Sequence, residues 1–407
     1  MAEHARKCTV TLSIGSQPFQ MRVAERLQRE GMLKRVVAFP RGVEIFEPDA
    51  GAGLRLTRRY RGFLWANRLV WGVWRRLPRS GHAWNLPIVF STSYADRLAS
   101  HWVEGCTIFH GWTGNCLACI AKAKRSGAHI MIEQATMHPR EWQKTVLEEC
   151  GRFGIRPRDC RALLPNALMR RMEREYETAD TIVAPSEVAR RSFERAGLGK
   201  KTMVLHAGVD HRFFCPSKEK APLRPFRVCF VGRVELAKGI PYLLQAWKKL
   251  NLPDAELVLI GEVAEEMRLI LGQGALPNVR LTGLLSGAEV AEWYRRSQLF
   301  VFSSVNEGLA RSILEAMASG LPVVATELSG AEDCITSGIE GTVVAARDFD
   351  ALAEALLWHY ENAEASMAMG RAARARIERE FTLERYVDRA MEMYRAIAAD
   401  QLSTAEP

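Results

Sequence analysis

Short apolar runs alternate with helix-like segments over almost the whole chain. That alternation marks repeated strand–helix–strand units sharing a parallel sheet. Six strands are predicted near CTVTLSIG (8–15), RVVAFP (35–40), CTIFHG (106–111), HIMIEQ (129–134), TIVAPS (181–186) and TMVLHA (202–207). Six more fall near FRVCFVG (226–232), AELVLIG (255–261), VRLTG (279–283), LFVFSS (299–304), PVVATE (322–327) and GTVVAA (341–346). Most of these runs are continuously apolar, as in strands covered on both faces. Between the two sets lies GVDHRFFCPSKEKAPLRP (208–225), rich in Pro and Lys, which reads as a connection between domains.

The chain has 407 residues, which suits two domains of roughly 200 residues each. The expected organisation is an N-terminal domain over 1–210, a linker over 211–225 and a second domain over 226–382. A closing helical segment, 383–407, then packs back on the sheets. Each half is an α/β doubly wound sheet, with ligand sites at the C-terminal ends of the strands and therefore facing a shared cleft.

Apolar residues make up 48% and charged residues 25%, the composition of a soluble globular protein. No run of 18 uncharged apolar residues occurs and no apolar signal region precedes the first strand, so a cytoplasmic chain is expected. The nine cysteines are odd in number and scattered. Cys116 and Cys119 form one C-x-x-C without a second pair at zinc-site spacing, so small buried hydrophobes are the better reading. The formal charge of +9 allows nucleic acid, anionic lipid or an anionic substrate as partner, and no nucleic-acid recognition motif accompanies it.

The clearest chemical constellation is FVGRVELAKG. A buried strand ends at Gly232, and Arg233 and Lys238 flank a turn that Gly239 closes into a helix. Glycine permits close backbone approach, and two cations beside a helix N-terminus make a diphosphate site. The structural alternative is a solvated loop with two surface charges. A second piece is SSVNEGLARSILEAMASGLPVVAT (303–326). Asn306-Glu307-Gly308 makes a turn, a helix runs from about Leu309 to Ser319, and the amides of Gly308, Leu309 and Ala310 are offered to an anion. Glu315 lies among apolar and small side chains, where a carboxylate needs a partner; a ribose diol offers two donors. Its alternative is a structural acceptor. Glu307 precedes it by eight positions, about 12 Å along a continuous helix.

The pattern G-R-x4-K-G followed by E-x7-E inside EGLARSILEAMASGLPVVAT resembles retaining glycosyltransferase family four of the GT-B fold. The likeness covers the second half closely and reaches back through 173–210. It implies that Arg233 and Lys238 bind a donor diphosphate, Glu315 the ribose and Glu307 the sugar hydroxyls. It also implies a nucleotide-sugar as donor substrate, no cofactor and no divalent metal, with cations and a helix N-terminus stabilising the departing diphosphate. The acceptor is expected to be a saccharide or lipid-linked saccharide. Two departures stand out. The family's Gly-Gly in the first strand–helix loop is here Gly15-Ser16, which is carried as a further donor-side candidate. The family's His after the fourth strand is replaced by Glu133-Gln134, which makes His138 and His110 candidate catalytic residues alongside Glu307, and Glu133 a neighbour of the acceptor or sugar. Either His reads equally well as a hydrogen-bonded structural residue.

Between Ala50 and Ala95 there is no Asp or Glu, while eight arginines occur. If 63–77 is helical, Arg68, Arg75 and Arg76 share one side, and Trp71 and Trp74 fall in the apolar remainder. Tryptophan with arginine and no acid suits an anionic membrane surface; the plain alternative is an amphipathic helix on the first sheet. The sequence thus predicts a metal-independent hexosyltransferase acting on an envelope saccharide. Its rivals are a transferase for a small soluble acceptor and a noncatalytic nucleotide-sugar-binding protein.

Overall fold

A computed structural model describes residues 8–14, 19–39, 43–49, 53–60, 86–217, 224–272 and 278–403. The continuous apolar runs form two sheets. The first comprises β1 (Val10–Ile14), β2 (Leu33–Ala38), β3 (Val43–Pro48), β4 (Leu54–Tyr60), β5 (Ile108–Trp112), β6 (His129–Glu133), β7 (Thr181–Ala184) and β8 (Thr202–Val204). The second comprises β9 (Phe226–Val231), β10 (Ala255–Ile260), β11 (Val279–Gly283), β12 (Leu299–Phe302), β13 (Val323–Thr326) and β14 (Gly341–Val344). Their spatial orders are β4-β3-β2-β1-β5-β6-β7-β8 and β11-β10-β9-β12-β13-β14. Every pairing is parallel except β2 with β3 and β3 with β4.

β3 and β4 were not among the predicted strands. They form an antiparallel edge whose last strand is almost wholly exposed, so neither carries a continuous apolar run. Two of its arginines are engaged within the first domain. Arg59 pairs with Glu44 at 2.7 Å, and Arg58 lies 4.9 Å over the Trp102 ring. Charge on an edge strand also discourages pairing with another chain. The rest of the arginine-rich segment, including Arg68, Trp71, Trp74, Arg75 and Arg76, lies outside the described residues, as do Gly15 and Ser16.

Strand order reverses between β1 and β5 in the first sheet and between β9 and β12 in the second. Crevices for ligands open at the C-terminal ends of strands at such reversals. This is the GT-B architecture of two doubly wound sheets with a cleft between them. Two helices tie the halves together. In the Pro139–Arg152 helix, Val146 and Cys150 join the core of the second sheet. In the Leu383–Ser403 helix, Tyr386, Ala390, Met391 and Tyr394 join the core around β1. The chain leaves the first half and re-enters it side by side. Val209 donates to the Phe381 carbonyl at 2.9 Å, and Leu383 donates to the Val209 carbonyl at 3.2 Å. Among the described residues no helix is long and apolar enough to cross a membrane.

Candidate active site

β9 ends at Val231, and the turn after it is fixed by glycine. Gly239 has φ 64°, and a Cβ there would stand 2.8 Å from the Ser303 carbonyl carbon at the end of β12. This close approach places Lys238 beside the loop 303–310. Lys238 Nζ forms an ion pair with Glu307, both side chains being mostly buried (14% and 12% exposed). The ammonium also lies 5.8 Å from the Phe302 ring centroid and 5.9 Å from that of Trp142. A pair this dehydrated stands only with good geometry, and removing one member leaves a buried charge.

Arg233 is half-exposed and turned toward Glu235 at 3.4 Å and Glu262 at 4.0 Å. Glu235 was not legible as a site residue. Burial pushes its carboxyl upward against the pull of Lys238 and Arg233. Asn306, wholly buried beside Glu307, has no hydrogen-bond partner for either side-chain polar atom. Unpaired buried amides are uncommon and mark a place where a ligand or water completes the bonding.

The helix after this loop starts later than expected, spanning Arg311–Ala318 with Ala310 as its cap. The Ala310 amide donates to the Ser329 carbonyl at 3.3 Å, which corrects the expectation of three amides offered to an anion and leaves Gly308 and Leu309 as the candidates. The delayed start also removes the continuous helix on which the 12 Å spacing of Glu307 and Glu315 was reckoned. Glu315 is mostly buried. It accepts a bond from Tyr294 Oη at 3.3 Å and lies 3.9 Å from the Arg311 guanidinium. Burial raises its carboxyl pKa, opposed by Arg311.

Across the cleft, Glu133 ends β6. Gln20 donates to its Oε2 at 3.1 Å and Tyr386 Oη to its Oε1 at 3.4 Å. His110 Nε2 lies 3.4 Å from Glu133, and His110 Nδ1 lies 2.7 Å from Tyr394 Oη. His138 belongs elsewhere. It caps the Pro139–Arg152 helix, its Nδ1 accepting from the Arg140 amide at 3.4 Å, and its ring sits between Tyr176 and Phe193. Burial lowers its pKa, and as a helix cap off the cleft lining the ring is not placed for the catalytic role expected of it.

One cavity of about 360 Å³ collects residues of both halves: Glu133 from the first, Lys238, Glu307, Leu309 and Ala310 from the second. Arg311, which was not singled out from the sequence, also lines it and lies 5.4 Å over the Phe19 ring opposite. Arg233, Glu315, His110 and His138 are not on this lining. The halves touch at the cavity's edge, where Ser186 Oγ donates to the Gly308 carbonyl at 2.7 Å. The C-x-x-C thiols are buried, and burial pushes both well above the ordinary thiol range.

Residues 213–376 match the family described as glycosyl transferases group 1. That match lies in the second half of the chain, and the two-sheet architecture is the GT-B fold. It is 32% identical over 184 residues to a GDP-mannose-dependent alpha-mannosyltransferase of Mycobacterium tuberculosis, covering 43% of this chain and 46% of the relative. It is 29% identical over 253 residues to the lipopolysaccharide core biosynthesis mannosyltransferase LpcC of Rhizobium leguminosarum, covering 58% and 68%. The chain spans about half the length of most of the curated relatives it matches. Sucrose-phosphate synthase of Thermosynechococcus elongatus superposes with a TM-score of 0.68 at 17% identity, over 97% of this chain and 100% of that one. HepE of Anabaena, solved with UDP and glucose, gives 0.62 at 15% identity, over 96% and 100%.

Proposed function

We propose that this chain is a retaining glycosyltransferase that takes a neutral hexose from a nucleotide-sugar and passes it to a saccharide of an envelope glycan or glycolipid. The observation that carries the reading is the buried Lys238–Glu307 pair at the strand reversal of the second sheet, sharing one cavity with Glu133 of the first. Lys238 and Arg233 take the diphosphate, with the Gly308 and Leu309 amides beside them. Glu315 takes the ribose and Glu307 the sugar hydroxyls. Diphosphate binding draws Lys238 from Glu307, which frees the carboxylate for the sugar. Glu133, held by Gln20, Tyr386 and His110, faces the sugar or the incoming acceptor. Gly15 and Ser16 continue the donor side, and the segment containing Arg68, Trp71, Trp74, Arg75 and Arg76 docks on an anionic bilayer.

Departure of the diphosphate is stabilised by fixed cations and amides, so no divalent metal is needed. The names of the relatives favour GDP-mannose as donor and a lipopolysaccharide-type acceptor. The test is a thermal-shift and turnover panel with GDP-mannose, UDP-glucose and ADP-glucose, in EDTA and in Mg²⁺. One donor should raise the unfolding midpoint and be consumed equally in both buffers. No stabilisation by any donor refutes the reading, and loss of turnover in EDTA restored by Mg²⁺ refutes the metal-free mechanism.

A further inference from the structure

The cleft lies where β9 and β12 finish. The opposite ends of the same sheet border a second cavity of about 460 Å³. Phe226 at the start of β9, Gln298 before β12 and Pro322 before β13 all line it. Six residues of strand at about 3.3 Å each put roughly 20 Å between the two places, so they are separate sites.

The lining combines charge with flat apolar surface. Arg224, Arg295 and Arg371 contribute, and no Asp or Glu is among the described lining residues. Arg224 lies 4.4 Å over the Tyr360 ring, and Arg295 is held by Glu292 at 2.9 Å. Phe226 and Tyr360 supply aromatic walls, with the wholly buried Tyr294 directly behind them. His359 also lines the cavity at 1% exposure, with Nδ1 2.8 Å from Ser366 Oγ and no hydrogen-bond partner for Nε2. A cavity of this volume, mostly apolar with a few convergent polar groups, is the ordinary form of a small-molecule site.

One buried side chain joins this cavity to Glu315. Tyr294 stands at the back of the cavity wall, and its hydroxyl donates to Glu315. The Arg311–Ala318 helix begins with Arg311 in the cleft and is followed by Ser319, Gly320 and Leu321 in this second lining. A ligand that shifts Tyr294 therefore changes the bonding of Glu315. Coupling of this kind is reciprocal in binding free energy.

We propose that this cavity binds a small organic anion with a planar apolar body, and that Tyr294 transmits its occupancy to Glu315. The coupling rests on the reading of Glu315 as part of the donor site; the binding does not. The probe is 1-anilinonaphthalene-8-sulfonate, an aromatic anion whose fluorescence rises on burial, titrated against the full chain with and without saturating UDP or GDP. One saturable site is expected. Arg371→Glu, and separately Met367→Glu at the half-exposed lip, should weaken it at least tenfold with an unchanged unfolding midpoint. Nucleotide should shift the probe affinity by about 5- to 150-fold in wild type and leave it unmoved in Tyr294→Phe. Unaltered affinity in both charge variants, or competitive displacement by nucleotide, overturns the site. Nucleotide that binds by calorimetry without moving the probe overturns the coupling, whereas absence of any nucleotide heat counts against the donor-site reading instead.

Discussion

Gly308 sits where the two halves meet, and its missing side chain tests whether that meeting is needed for turnover. A Cβ there would lie 2.6 Å from Pro185 Cγ and 3.0 Å from the Ala135 carbonyl carbon, and would overlap that carbonyl's oxygen. Both neighbours belong to the first half. Gly308 is not among the glycines with left-handed φ, so its own loop accepts alanine. The substitution Gly308→Ala therefore acts against closure and spares both cores. Overpacking of this order costs about 1–3 kcal/mol, and loosening the Ser186–Gly308 bond adds about 1 kcal/mol. Taking the packing cost alone, closure weakens roughly 5- to 150-fold, since every 1.4 kcal/mol is tenfold. The expected result is a fall of that size in kcat/KM, an unchanged thermal midpoint and a larger radius of gyration by small-angle scattering with donor bound. A variant with wild-type kcat/KM and an unchanged radius refutes the argument, because the closed contact would then be dispensable.

Replacing Lys238 by Met leaves the buried Glu307 carboxylate unpaired, so stability should fall by about 3–5 kcal/mol in urea unfolding, with much of it regained in Lys238→Met/Glu307→Gln. Nucleoside diphosphate affinity should fall in both variants. Burial raises the Glu315 carboxyl, so the folded state holds its proton longer than the unfolded chain does. Its contribution to stability therefore declines as pH rises from the ordinary carboxylate range through the folded value. Only the ionised form accepts both ribose hydroxyls, so nucleotide affinity should rise across that same window, and Glu315→Gln should abolish the Glu315-dependent part of the rise in calorimetry at several pH values. For the membrane proposal, co-sedimentation with phosphatidylglycerol vesicles should be strong at low salt and lost in Arg68→Glu/Arg75→Glu/Arg76→Glu. Wild type that stays in the supernatant removes membrane docking.

Much of the fold was legible because a parallel strand buried on both faces writes itself as an unbroken apolar run, as in FRVCFV and LFVF. β3 and β4 leave no such record. VEIFEP has one well-covered face and LRLTRRY has none, so exposure erased the run. The second-sheet side of the candidate site was legible for a related reason. Lys238 and Glu307 follow strand ends in segments whose own turns bring them to the cleft cavity, while Glu315, further along the next helix, stands off its lining. The facing half depends on tertiary return. Gln20 sits on the first described helix, and Tyr386 and Tyr394 on the last, each at an unremarkable amphipathic position. They reach Glu133 and His110 only because the chain comes back beside Val209 and lays its final helix on β1. The helical periodicity of 383–399 foretells a helix packed on a sheet, but no local pattern says that the sheet is the first one. The return means that one of the groups holding Glu133, the Tyr386 hydroxyl, is carried by the same helix that leaves the second half, so any hinge motion about Val209 and Phe381 must either carry that helix with the first sheet or break that bond. Its apolar contacts, with Met391 and Tyr394 buried in the β1 core, favour the first course: the Leu383–Ser403 helix moves as part of the N-terminal half, and the flexing falls on the paired segments before it.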